Sequence, residues 1–134
     1  MDKINDTALS SEHLADEIIK ILLEKQGIDV KKYDVREAQA ITDFYINVTG
    51  RSLSHVASLS EDICDLIELQ GKSPARVEGK RGNSWILIDY LDVIVNVFNK
   101  ESREFYNFER LLPKESLCDI VDLITEVDKK YDIN

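Results

Sequence analysis

Residues 84–98 hold two apolar runs almost back to back, Ser84 to Tyr90 and Asp92 to Phe98. Both are rich in Ile, Val and Leu at odd and even positions alike. A strand of that kind has to be covered on both faces, so the pair reads as the centre of a sheet. Upstream, Asp43-Phe44-Tyr45-Ile46-Asn47-Val48-Thr49 alternates, with Phe44, Ile46 and Val48 on one face and Tyr45, Asn47 and Thr49 on the other. One face of the sheet is therefore core, and the other is at least partly wet.

Helices must supply the cover. Leu14, Ile18, Leu22 and Ala15, Ile19, Leu23 recur at four-residue steps. That predicts a helix from about Ser11 to Gln26, with Ser10 or Ser11 as N-cap and Gly27 as its stop. Leu53, Val56, Ala57, Ser60, Ile63, Cys64 and Ile67 line a second helix capped by Ser52, whose outer side carries Glu61, Asp65 and Glu68. Val30–Val35 and Ala75–Glu78 read as strands, and Gly79–Asn83 as a hairpin loop. Ser102–Leu112 is amphipathic and predicts a helix. After Pro113, Leu117, Ile120, Val121, Ile124 and Val127 predict a last one. The order α-β-β-α-β-β-β-α-α implies an α/β (α+β) sandwich: a mixed five-stranded sheet, helices mainly on one face, and one parallel crossover through the second helix. The chain divides into an α/β domain, 1–112, and a C-terminal helical extension, 113–134.

Charge narrows the function. The chain has 17 basic and 26 acidic residues, a net charge of −9. Such a surface repels phosphate backbones and anionic lipid, which disfavours nonspecific nucleic-acid binding and membrane docking. An enzyme on small substrates, a module for a basic protein and an acidic structural domain stay open. The extension is the most densely acidic part, with six acidic and three basic residues. No apolar run approaches the roughly 20 residues of a membrane span, and Met1–Asp6 has no apolar signal core. Cys64 and Cys118 sit in apolar helical patterns and read as reduced thiols of a cytoplasmic protein.

Candidate chemistry is sparse. Gly71-Lys72-Ser73 ends like a phosphate-binding loop, but Leu66 stands where that loop needs Gly, and a helix precedes it. Ser52 at a glycine turn, with Asp89 and Asp92, is the set a metal-dependent nucleotidyltransferase would use. Three residues apart on an extended strand, however, Asp89 and Asp92 point to opposite sides. His13 and His55 open helices and read as capping or packing residues. No zinc spacing and no cofactor motif is present. Trp85, the only tryptophan, leads an aromatic group with Tyr90, Phe105, Tyr106 and Phe108.

Five ordered blocks resemble the ribosomal silencing factor (Iojap-like) family. They are Ile41–Gly50, Ser54–Val56, Val77–Gly79, Trp85–Val95 and Glu101–Leu111. The match they carry runs from about Leu14 to Leu112 and leaves the tail after Pro113 outside it. The resemblance implies a nucleotidyltransferase-like topology without that activity, in cytoplasmic bacterial or organellar proteins. It implies binding to the large ribosomal subunit through its ribosomal protein fourteen, at the intersubunit face. There the protein blocks joining to the small subunit and represses translation; some members are homodimers when free. A basic ribosomal protein suits an acidic, partly apolar patch, with Trp85 and Tyr90 as anchors and Glu78, Asp89, Asp92, Arg103 and Tyr106 around them. Two positions depart from the family pattern. Leu91 stands where Gly is usual, which predicts a different turn or a shifted bend, and Asn96 stands where His is frequent.

Overall fold

The structure, a computed structural model, describes residues 10–131. Helix α1 (Ser11–Glu24) starts at Ser10, whose hydroxyl accepts from the His13 amide. It leads into strand β1 (Ile28–Asp34), which turns back as the antiparallel β2 (Phe44–Gly50). Helix α2 (Leu53–Glu68) is capped by the Ser52 hydroxyl, which accepts from the His55 amide. Strands β3 (Arg76–Glu78), β4 (Trp85–Asp89) and β5 (Val93–Asn99) follow, each antiparallel to the next.

The sheet is mixed and open, in the order β3-β4-β5-β2-β1-β6. Its parallel pair is β2 with β5, in register from Phe44 opposite Val93 to Gly50 opposite Asn99. The crossover through α2 therefore carries the chain beyond β5 to the far edge, and β4 and β5 fill in between. The first two helices cover one face. Ile18, Ile19 and Leu22 of α1 and Val56, Leu59, Ile63 and Ile67 of α2 bury against Phe44, Ile46, Val48, Ile86, Ile88, Val93, Val95 and Val97. Phe44, Ile46 and Val48 are the positions the alternation assigns to the core.

Three expectations are corrected. The sheet has six strands, not five. After a 3-10 turn at Lys114–Ser116, Leu117–Cys118 form a short strand β6 that pairs with Tyr33 and Lys32 of β1. Leu117 and Cys118 thus leave the last helix, α4, which runs Val121–Tyr131 from an Asp119 side chain that accepts the Val121 amide. Their apolar spacing to Val121 and Ile124 fits a helix and a strand edge equally well. The helix expected over Ser102–Leu112 is also broken. Helix α3 (Lys100–Tyr106) ends at Asn107, whose φ of +47° is left-handed, and a 3-10 turn (Phe108–Leu111) continues.

α4 lies against α1. Val127 is buried there, and Lys20–Glu126 and Lys130–Glu24 pair across the two helices at 3.0 and 2.9 Å. No helix among the described residues is long and apolar enough to cross a membrane. Cys64 and Cys118 are free and half-buried.

Candidate docking face

The sheet face away from α1 and α2 carries Trp85, Leu87 and Asp89 from β4, Asn96 and Phe98 from β5, Tyr45, Asn47 and Thr49 from β2, and Tyr33 from β1. Helix α3 and its 3-10 continuation lie over the β5–β2 part. Phe108 reaches the Tyr45 ring at 5.2 Å, and Tyr106 reaches Trp85 at 5.0 Å. On the β4–β3 side, Glu78, Gly79, Trp85 and Leu87 frame a shallow hollow of about 270 Å³. At Gly79, φ is +92° and a Cβ would run into the Trp85 carbonyl, so only glycine lets the loop pass this close.

Several expected residues converge here. Trp85 is half-buried, packed on Phe98 at 5.0 Å and on Tyr106, which remains 48% exposed. Glu78 is exposed and pairs with Arg76 at 3.1 Å. The same Arg76 meets Asp89 at 3.3 Å. An acidic rim with one arginine thus borders the aromatic hollow. Phe105, 80% exposed next to Tyr106, also stands at this edge.

Others do not. Tyr90 is 1% exposed and lies in the core cluster beside Cys64, where burial drives its hydroxyl pKa upward. It is corrected from surface anchor to core residue: as the residue after β4 ends, it turns under the sheet toward α2. Arg103 is 9% exposed and faces inward. Its Nε and Nη2 donate to Glu109 at 3.2 and 2.7 Å, and Nη1 donates to Thr49 and to the Asp29 carbonyl, both at 2.9 Å. Four of its five N–H groups are spent inside the fold, and Nη2 also lies 3.7 Å from the Asp29 carboxylate, so Arg103 acts as a clamp. Asp92 is half-buried, and its carbonyl accepts from the Asp43 and Phe44 amides.

The turn between these residues keeps the geometry that Gly allows. Leu91 sits at φ +74°, the Asp92 amide donates to the Tyr90 carbonyl at 2.9 Å, and Asp89 accepts from the Leu91 amide at 2.8 Å. The expectation of a different turn is corrected, because these bonds over-determine the bend.

Topology separates the nucleotidyltransferase set. Ser52 follows the last residue of β2, whereas Asp89 and Asp92 flank the start of β5, at the opposite end of the parallel pair. Six rungs of strand lie between, about 20 Å at ~3.3 Å per residue. Ser52 and the two carboxylates cannot share a magnesium ion, and Asp89 is already committed to Arg76 and to the turn. Among the described residues no group of three or more His, Cys, Asp and Glu converges as a metal site. His55 is buried, with Nδ1 accepting from the Arg51 amide, and His13 is exposed at the start of α1.

Sequence reasoning missed the residues beneath the face. Asn47 and Asn96, both wholly buried, and the half-buried Glu109 join Trp85 to Arg103. Burial raises the pKa of Glu109, but the Arg103 pair and the Asn47 hydrogen bond outweigh it, and the net shift is downward. Tyr33, buried and beside this carboxylate, is pushed up to about 12. The readable signal was the pair of polar Asn residues in otherwise apolar strands.

The chain matches the family model described as "Ribosomal silencing factor during starvation" over residues 8–132. That span takes in the tail after Pro113, so the expected extent of the family match, Leu14 to Leu112, is corrected. "Ribosomal silencing factor RsfS" of Zymomonas mobilis is 27% identical over 107 residues, 80% of each chain. The protein of that name from Haemophilus influenzae is 30% identical over 98 residues, 70% of this chain and 96% of the relative. A crystal structure of a Bacillus halodurans protein superposes with a TM-score of 0.71 and 27% identity, over 81% of this chain and 98% of that one.

Proposed function

The chain belongs to the ribosomal silencing factor family, and on that footing we propose that it docks on the large ribosomal subunit through that subunit's ribosomal protein fourteen. Seated at the intersubunit face, it obstructs joining of the small subunit and represses translation. The action is occlusion, with no catalytic step and no cofactor. Residues 1–112 carry the docking, and residues 113–134 steady them.

The observation that supports this reading is the aromatic hollow at Trp85. A half-buried indole flanked by the exposed Tyr106 and bordered by the exposed Glu78 suits a basic protein surface. Hot spots of this kind are enriched in Trp and Tyr, while peripheral charges chiefly speed encounter.

Light scattering of subunit joining tests the proposal. Added protein at saturation is expected to suppress joining, and co-sedimentation is expected to place it on the large subunit alone. Trp85→Phe and Tyr106→Ala are each expected to weaken that binding by roughly tenfold, the scale of about 1–2 kcal/mol for an interfacial aromatic. Undiminished joining at saturating protein overturns the reading. The light-scattering mass of the free protein reads whether it pairs as a homodimer before docking.

A further inference from the structure

The hydrogen bonds beneath Trp85 can run in only one direction. An indole N–H only donates, and Trp85 Nε1 donates to Asn96 Oδ1 at 2.9 Å. That assignment turns Asn96 Nδ2 toward Asn47 Oδ1, to which it donates at 3.0 Å. Asn47 Nδ2 in turn donates to Glu109 Oε2 at 3.3 Å, and an ionised carboxylate only accepts. Both amides are 0% exposed, so water cannot substitute for a lost partner and each orientation depends on the next. The far end is fixed in its turn: Glu109 takes two bonds from Arg103 and one from the Tyr33 hydroxyl, at 3.2 Å.

From this we infer that Glu109 is a positioning residue for Trp85, setting the indole through Asn47 and Asn96. The chain of bonds starts in the 3-10 turn after α3, crosses β2 and β5, and ends on β4. The segment that carries Glu109 also carries Phe108, which stands 6.2 Å from the Trp85 ring. One segment therefore both flanks the indole and orients it from below. The inference deepens the docking reading and rests on it for its effect on binding, but its effect on the indole stands by itself.

Trp85 is the sole tryptophan, so intrinsic fluorescence reports it alone. Glu109→Gln preserves size but removes the charge and sets an NH2 donor against an Arg103 N–H in place of one accepting oxygen, so the side chain cannot keep all the bonds of the carboxylate. In the folded variant the emission maximum and the acrylamide quenching of Trp85 are expected to shift, and large-subunit binding is expected to weaken roughly fivefold, the scale of one hydrogen bond. Glu126→Gln makes the same carboxylate-to-amide change on α4, away from this chain of bonds; its emission and binding are expected to match wild type. If Glu109→Gln melts below assay temperature, Asn47→Ser cuts the chain in the middle, spares the Arg103–Glu109 pair, and carries the same expectation. A folded variant with lowered melting temperature but unchanged emission reduces Glu109 to a structural role and overturns the inference. If Trp85→Phe binds subunits as tightly as wild type, the docking reading falls, and the emission shift alone decides the positioning claim.

Discussion

Leu91 occupies a backbone conformation that a side chain disfavours. Its φ of +74° with a hydrogen bond between residues 90 and 92 is a three-residue turn of the strained hand. Nothing offsets the strain through packing, since the side chain is 64% exposed. The turn persists because its neighbours hold it: Tyr90 N–H donates to the Val93 carbonyl, Asp89 accepts from Leu91, and two amides of the β2 entry reach the Asp92 carbonyl. Leu91→Gly removes the Cβ clash but adds freedom to the unfolded chain, and the two effects partly cancel. The net expectation is a gain of about 0.5–1 kcal/mol, read as a higher urea midpoint at constant slope. A lower midpoint would mean that the exposed leucine makes a stabilising contact after all.

At the scale of elements, α4 is held to α1 by two kinds of contact of unequal worth. The ion pairs Lys20–Glu126 and Lys130–Glu24 are largely open to solvent, and pairs of that sort contribute about 0–1 kcal/mol. Val127 is buried, and trimming it to alanine removes two methyl groups from a packed site. Val127→Ala is therefore expected to cost about 1–2 kcal/mol and Glu126→Gln under about 0.5 kcal/mol in thermal melts. Equal effects would show that charge, not packing, docks this helix. The same contrast explains what the sequence could show. Periodic apolar residues marked α1, α2 and β2 because burial repeats along them, and unbroken apolar runs marked β4 and β5. The break at Asn107 escaped notice because a left-handed Asn leaves no trace in periodicity, and β6 because two residues hold no period at all. Trp85, Glu78, Asp89 and Tyr106, named from their blocks, lie on or beside one sheet face. The burial of Tyr90 and Arg103 could not be read there, since both depend on which way a turn and a short helix face. Asn47, Asn96 and Glu109 meet only through β2–β5 pairing and a 3-10 turn, contacts as distant as 62 residues in sequence.

For the molecule as a whole, the net charge of −9 has a direction as well as a size. Glu61, Asp65 and Glu68 are exposed along α2, which covers the core face of the sheet, so they lie on the side opposite Trp85. On the proposed ribosome they face away from the docking partner, where their effect is to repel RNA from the rest of the surface. Reversing all three to lysine moves the net charge from −9 to −3 and places three cations on one helix face. Because exposed charges are screened within roughly 10 Å at 0.1 M salt, the Trp85 contact should scarcely feel the change. Dissociation from the large subunit is therefore expected to keep its wild-type rate. Filter binding of a bare homopolymer RNA is expected to appear at low salt and vanish as salt rises. A triple variant that leaves the large subunit several-fold faster would place α2 in the interface and move the docking face to the opposite side of the sheet. One that gains no RNA binding would remove the repulsive role and leave the acidity of α2 as simple solvation of a helix surface.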